Sequence, residues 1–160
     1  MNQRQADFES LIARNRGRLL AIARAYGDME RDDLLQEILL QVWRSMDRFE
    51  NRSSPDTWCY RIALNTAFSW LRSQQRRNDR LKVVSNETDS VPGAPQVDDS
   101  VRLLERFMRE LNPIDRAVLL MFLENLSEES IAETLGSSIG AIRVRLHRIK
   151  SRLTDWKDEP

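Results

Sequence analysis

The side chains best suited to chemistry in this chain lie between Arg143 and Arg152. That stretch holds five basic residues, four arginines and one lysine, and no acid. The chemistry on offer is recognition rather than bond cleavage. An arginine can donate two parallel hydrogen bonds to a guanine edge, a contact worth about 1–3 kcal/mol of base discrimination. Spacing decides where these donors point. Ile142, Leu146, Ile149 and Leu153 recur at intervals of four, three and four. At about 100° per residue they draw one narrow apolar stripe. The same arithmetic turns Arg143, Val144, His147 and Arg148 to the far side, with Arg145 and Arg152 flanking the stripe. A helix of this kind can lie in a DNA groove. The plainer alternative is a solvated basic face.

The residues that precede this stretch supply a way of presenting it. Ser127 can cap a short helix whose first turn, Glu128 and Glu129, suits the positive end of the helix dipole. Ile131, Ala132 and Leu135 form its apolar side, and Gly136 is a natural stop because it tolerates positive φ. Ser137 or Ser138 can cap the basic helix. Two helices about a tight turn make a helix-turn-helix, which sets the N-terminal part of its second helix against base edges. Turn, stripe and one-sided basic face together favour DNA binding over a merely solvated surface.

Other chemistries lack their parts. The sequence has no P-loop, no metal-ligand cluster and no nucleophile–base arrangement, so neither catalysis nor a cofactor is expected. The single histidine, His147, sits in the basic face and reads as a groove contact. The single cysteine, Cys59, excludes an internal disulfide, suits a reducing cytosol and reads as a small core residue. No apolar run approaches the roughly 18 residues of a membrane span, and MNQRQADFES lacks a signal-peptide pattern. The expected location is cytoplasmic, with no direct membrane insertion. Net charge over the 160 residues is zero, so local basic surfaces must supply any attraction to DNA.

The chain divides at residues 83–100, VVSNETDSVPGAPQVDDS, a composition that cannot bury a core and reads as a flexible tether. Elsewhere the apolar spacing is helical and nothing alternates with period two, so the expected fold is all-α. Phe8 to Tyr26 marks a first helix, broken at Gly27 and Asp28. A second runs from about Glu30 to Met46. A third begins near Asp56 and ends in the cluster Arg72, Arg76, Arg77 and Arg80. Beyond the tether, Val101–Leu111 reads as a short helix, and Asn112 caps another with Pro113 at its first position. The expected layout is one helical domain over 1–80, a linker over 81–100 and a helix-turn-helix domain over 101–155.

Two further surfaces stand out in the N-terminal half. Asp32, Asp33, Gln36 and Glu37 lie on the side of the second helix away from its leucines, and can dock on an arginine-rich partner helix or simply face water. The third helix and its approach mix rings with cations: Phe49, Trp58, Tyr60, Arg61, Phe68, Trp70, Arg72, Arg76 and Arg77. Such mixtures grip single-stranded nucleic acid by stacking and phosphate tracking. Trp58, Ile62 and Phe68 also have core spacing, which leaves Tyr60 and Arg61 as the better candidates for exposed contact.

The order DDLLQEILLQVW, RFENRSSPDTWCYRIALNTAFSWLRSQQRR, linker, LNPIDRAVLLMFLENLSEESIAETLGSSIGAIRVRLHRIKSRL closely resembles the bacterial sigma-70 family. The short two-domain layout is similar to its extracytoplasmic-function members. The resemblance implies a sigma factor of core RNA polymerase that directs promoter-specific initiation. Asp32, Asp33, Gln36 and Glu37 would dock on the β′ clamp helices, with the β flap as a further polymerase contact. Asn51, Ser53, Tyr60, Arg61, Arg72, Arg76 and Arg77 would melt and read the −10 element, a flipped base entering a pocket formed by the loop Asn51–Asp56. Arg143, Val144, His147 and Arg148 would read the −35 duplex, with Ser138 and Arg145 on phosphate. The resemblance also implies an anti-sigma partner. The chain departs from the family's common pattern at Leu64, Ser69 and Val144, the last suited to a thymine methyl. Two other functions share these features: a stand-alone helix-turn-helix regulator, and a sigma mimic that sequesters an anti-sigma factor.

Overall fold

The computed structural model describes residues 2–81 and 98–157, and among them the regular structure is entirely helical. Helix α1 spans Gln3–Gly27, starting earlier than the apolar period suggests because Asn2 caps it, its side chain accepting from Arg4 N. Gly27 eases the packing where α1 turns back. A Cβ there would stand 3.3 Å from the Cβ atoms of Arg31 and Leu34. Asp28, at φ 49°, then reverses the chain into a single 3-10 turn, Asp28–Glu30. Helix α2, Arg31–Ser45, follows directly.

Helix α3, Pro55–Leu81, begins where Ser54 Oγ accepts from Thr57 N at 3.1 Å. The three long helices pack side by side. Leu11, Leu19 and Ile22 of α1, Leu34, Ile38 and Val42 of α2, and Ala63, Leu64 and Ala67 of α3 are all buried. Cys59 belongs to this core. Burial, with Asp56 adding to it, pushes its thiol up to about 12, so it has no thiolate character at neutral pH.

The second half is built from three short helices and one longer helix. Helix α4, Asp99–Glu110, starts two residues before the expected Val101, since Asp98 accepts from Ser100 N and caps it. The rest of the expected tether, residues 83–97, lies outside the described residues. Helix α5, Pro113–Leu123, has Asn112 as its cap, accepting from Asp115 N at 2.9 Å, and Pro113 in its first turn. Helices α6, Glu128–Leu135, and α7, Ile139–Lys157, form the helix-turn-helix. Their shared core is Phe107, Val118, Met121, Ile131, Ile142, Leu146 and Ile149, all buried.

The two halves meet along a polar seam. The Tyr26 hydroxyl donates to the Pro113 carbonyl at 2.7 Å. Arg116 Nη1 donates to the Ala25 carbonyl at 2.9 Å, and Arg18 Nε stands 3.6 Å from Glu124 Oε2. Helices α5 and α6 touch both the N-terminal bundle and the basic helix.

Candidate nucleic-acid interface

The turn that presents α7 is closed by local chemistry. Gly136 adopts the left-handed conformation at φ 63°, and its N–H and that of Ser137 donate back to α6 carbonyls. Ser138 Oγ accepts from Ala141 N at 3.1 Å, so this side chain is the cap of α7. From there the stripe of Ile142, Leu146 and Ile149 fixes the rotation of the helix, each of them buried. Arg143, His147 and Arg148 are exposed on the other side, and Val144 is 60 % exposed among them.

The arginines of α7 differ in what holds them. Arg143 Nε donates to Glu128 Oε2 at 2.6 Å while the guanidinium stays in solvent. Arg148 has no ion pair among the described residues. Arg145 points inward: its Nη1 lies 2.5 Å from Oδ1 of Asp115, whose side chain is only 9 % exposed. Asp115 also accepts from Asn112 Nδ2. The structure therefore pairs Arg145 with Asp115, bracing α7 on α5, while the arginine stays partly exposed. The sequence left a signal for this, since Asp115 and Arg116 interrupt an otherwise apolar helix and buried charges need partners.

In the N-terminal half the loop before α3 is shaped by Asn51, which takes positive φ (55°), a conformation its short polar side chain tolerates. Ser53, half-buried beside it, stays in the loop. Phe49 packs on Trp58 with ring centroids 5.0 Å apart. Next to this pair opens a cavity of about 350 Å³, walled by Phe49, Pro55 and Trp58 and closed by Asp7, Ser10 and Arg14 of α1. Trp58 is half-buried, one face in this wall. A larger groove of about 560 Å³ runs between α2 and α3, lined by Glu37, Gln41, Asn65, Ser69, Trp70 and Arg77.

Tyr60 departs from its expected place. It is 2 % exposed, because positions 60, 63, 64 and 67 form the apolar stripe of α3 and the ring follows the stripe. It cannot be an exposed contact in this arrangement. Its hydroxyl faces Glu124 in the seam, and neither Tyr60 Oη nor Glu124 Oε2 has a well-formed hydrogen bond. Burial holds the Glu124 carboxyl above its ordinary range, opposed by the nearby Arg18.

Arg61 is half-buried for a different reason. Its Nη2 donates to the Glu133 carbonyl at 2.8 Å and its Nε to the Thr134 carbonyl at 3.2 Å, at the C-terminal end of α6. A cation suits the negative end of that helix. Arg72, Arg76 and Arg77 are exposed along the end of α3, Arg77 at 4.0 Å from Glu30. On α2, Asp32, Asp33 and Gln36 are exposed and Glu37 is half-buried, accepting from Gln41 at 2.7 Å. Arg116 has a structural role of its own. It is buried, and it donates to the Met108, Arg109, Leu111 and Ala25 carbonyls. No group of three or more His, Cys, Asp or Glu among the described residues can hold a metal, and no described helix is long and apolar enough to cross a membrane.

Comparison with known proteins adds to this geometry. The family models described as Sigma-70 region 2 and Sigma-70, region 4 match residues 11–77 and 102–153. The chain is 30% identical to the RNA polymerase sigma factor NccH of Alcaligenes xylosoxydans xylosoxydans, over 94% of this chain and 86% of that protein. It is 28% identical to the ECF RNA polymerase sigma-E factor of Escherichia coli, over 98% of this chain and 88% of that protein. Among solved structures it is similar to the sigma factor RpoE in complex with the anti-sigma factor NepR from Bartonella quintana. The TM-score is 0.76 at 25% identity, covering 96% of this chain and 99% of that one.

Proposed function

We propose, from the premise that this chain belongs to the sigma-70 family as an extracytoplasmic-function (ECF) sigma factor of RNA polymerase, how its two halves share the work of promoter-specific initiation. The region-4 half reads −35 duplex DNA with α7, Arg143 and Arg148 donating to base edges or phosphate, Val144 meeting a thymine methyl and His147 completing the face. Ser138 contributes through the cap it forms, and Arg145 through the brace it makes with Asp115. The observation that carries the reading is the exposure of this basic face opposite the buried Ile142, Leu146 and Ile149.

The region-2 half acts on the −10 element. The cavity beside Phe49 and Trp58 has room for one unstacked base, with Asn51 and Ser53 in the loop that borders it. Arg61, Arg72, Arg76 and Arg77 track the strand phosphates, and Tyr60 supports α3 from within. Trapping unstacked bases drives melting, so no nucleotide hydrolysis by this chain is needed. Asp32, Asp33, Gln36 and Glu37 dock on a basic surface of core polymerase, the β′ clamp helices, with the β flap engaging the region-4 half. The protein works in the cytoplasm.

The seam bears on this division. Arg61 gives its Nε and Nη2 donors to α6 in the closed arrangement, which keeps those two from a DNA strand. Freeing them requires the two halves to part, and docking on polymerase holds them apart. An anti-sigma partner, of the kind seen bound to RpoE of Bartonella quintana, would hold them together. The test of the reading face is a double substitution. Arg143→Ala with Arg148→Ala is expected to abolish promoter-specific run-off transcription while the chain still co-elutes with core polymerase. Surviving transcription would assign the reading to another helix.

A further inference from the structure

Guanine is read by two parallel donors of one arginine, so what matters for Arg143 is which of its donors are left free and how firmly they are aimed. The guanidinium is a rigid planar fork with five N–H groups. Nε, on the inner edge of that fork, is the donor that Glu128 takes, at 2.6 Å. Both terminal nitrogens, the pair that matches O6 and N7, are without a protein partner among the described residues. The Arg143 side chain remains 65% exposed.

Glu128 is itself firmly placed. It is the first residue of α6, whose start is fixed by Ser127 Oγ accepting from Ser130 N at 3.1 Å. Helix α6 is anchored on α7 through buried Ile131 and Ile142. The carboxylate thus reaches Arg143 from a separate helix of settled position, not from a neighbour on α7.

We infer that Glu128 is a positioning residue for base reading: it grips Arg143 by the inner edge and aims the outer pair of nitrogens at the groove. This rests on the reading of α7 as the −35 helix. Holding a flexible group in its bound conformation before binding raises affinity by reducing the ordering still to be done. Glu128, like Glu129, also suits the positive end of the α6 dipole, but Glu128 is the one that bonds Arg143. An acid at a DNA-facing surface repels phosphate, and an exposed ion pair adds little to folding stability.

The two roles open to Glu128 differ in sign, which makes the test sharp. The full chain, bound to core polymerase, is titrated with a fluorescent −35 duplex from one of its own promoters, with variants of that duplex at each −35 base pair, and with a scrambled duplex. Glu128→Ala is expected to reduce the preference at the Arg143-read position by about two- to tenfold, while scrambled duplex binds as well or better. Glu128→Gln, whose amide oxygen still accepts from Nε, should recover part of the preference. In an Arg143→Ala background Glu128→Ala should leave the preference unchanged. Equal tightening on all duplexes by Glu128→Ala would overturn the inference and make Glu128 a plain repulsive acid. If Arg143→Ala itself left every −35 preference intact, the reading of Arg143 would fall and the positioning role with it.

Discussion

The Arg116 guanidinium lies 5.1 Å over the ring of Tyr26, so the most buried cation of the region-4 half rests on an aromatic of the region-2 half. The same arginine ties the end of α4 to α5 through three carbonyls and reaches a fourth, Ala25, across the seam. It is at once an internal brace and an interdomain contact.

Removing it should therefore be felt twice. Arg116→Ala orphans buried carbonyls, and we expect a loss of about 2–4 kcal/mol in the stability of the region-4 half. Urea unfolding followed by circular dichroism gives the magnitude. Interdomain fluorescence transfer, with dyes on the two halves, should show the seam loosened in the same variant under native conditions.

The seam should also respond to pH. Burial raises the Glu124 carboxyl above its ordinary range in the closed arrangement, and the polar groups facing it are Arg18 of α1 and Tyr60 of α3. A raised carboxyl binds its proton more tightly when the halves are closed. Its contribution to closure is thus fully present below the ordinary carboxylate range and is lost as pH rises through the raised value. Closure, read by the same fluorescence transfer, should weaken over that interval. Glu124→Gln should stay closed throughout and flatten the profile.

Arg145 and Arg148 should separate by role. Arg145→Ala breaks the pair with Asp115 and is expected to destabilise the helix-turn-helix by about 1–3 kcal/mol, allowing for the partial exposure of the arginine. The salt dependence of duplex binding should not change. Arg148→Ala should leave the melting temperature alone and reduce the slope of log K against log salt by about 0.9, the value of one lost phosphate contact, if it sits on phosphate. An unchanged slope with a changed base preference would place it on a base edge instead.

These contrasts also mark what the residues disclosed on their own. Helix starts at Asn112 and Ser127, the stop at Gly136 and the buried stripe of α7 were all legible, because each depends on a few neighbouring residues. The fold class followed from them. The burial of Tyr60 and the pairing of Arg145 differ from the expectation for separate reasons. Tyr60 was grouped by residue type with exposed arginines, although its spacing with Ala63, Leu64 and Ala67 marks it as core. Arg145 needed Asp115, thirty residues away, to explain it. The seam of Tyr26, Arg61, Arg116 and Glu124 joins the two halves and leaves no periodic trace at all.

The central claim is that this chain directs RNA polymerase to promoters. It is tested most directly by run-off transcription with purified core polymerase on a genomic promoter library, with and without the protein. Discrete new start sites that share −35 and −10 sequences are the predicted result. A correctly folded chain that binds core polymerase and yields no new start sites would contradict it.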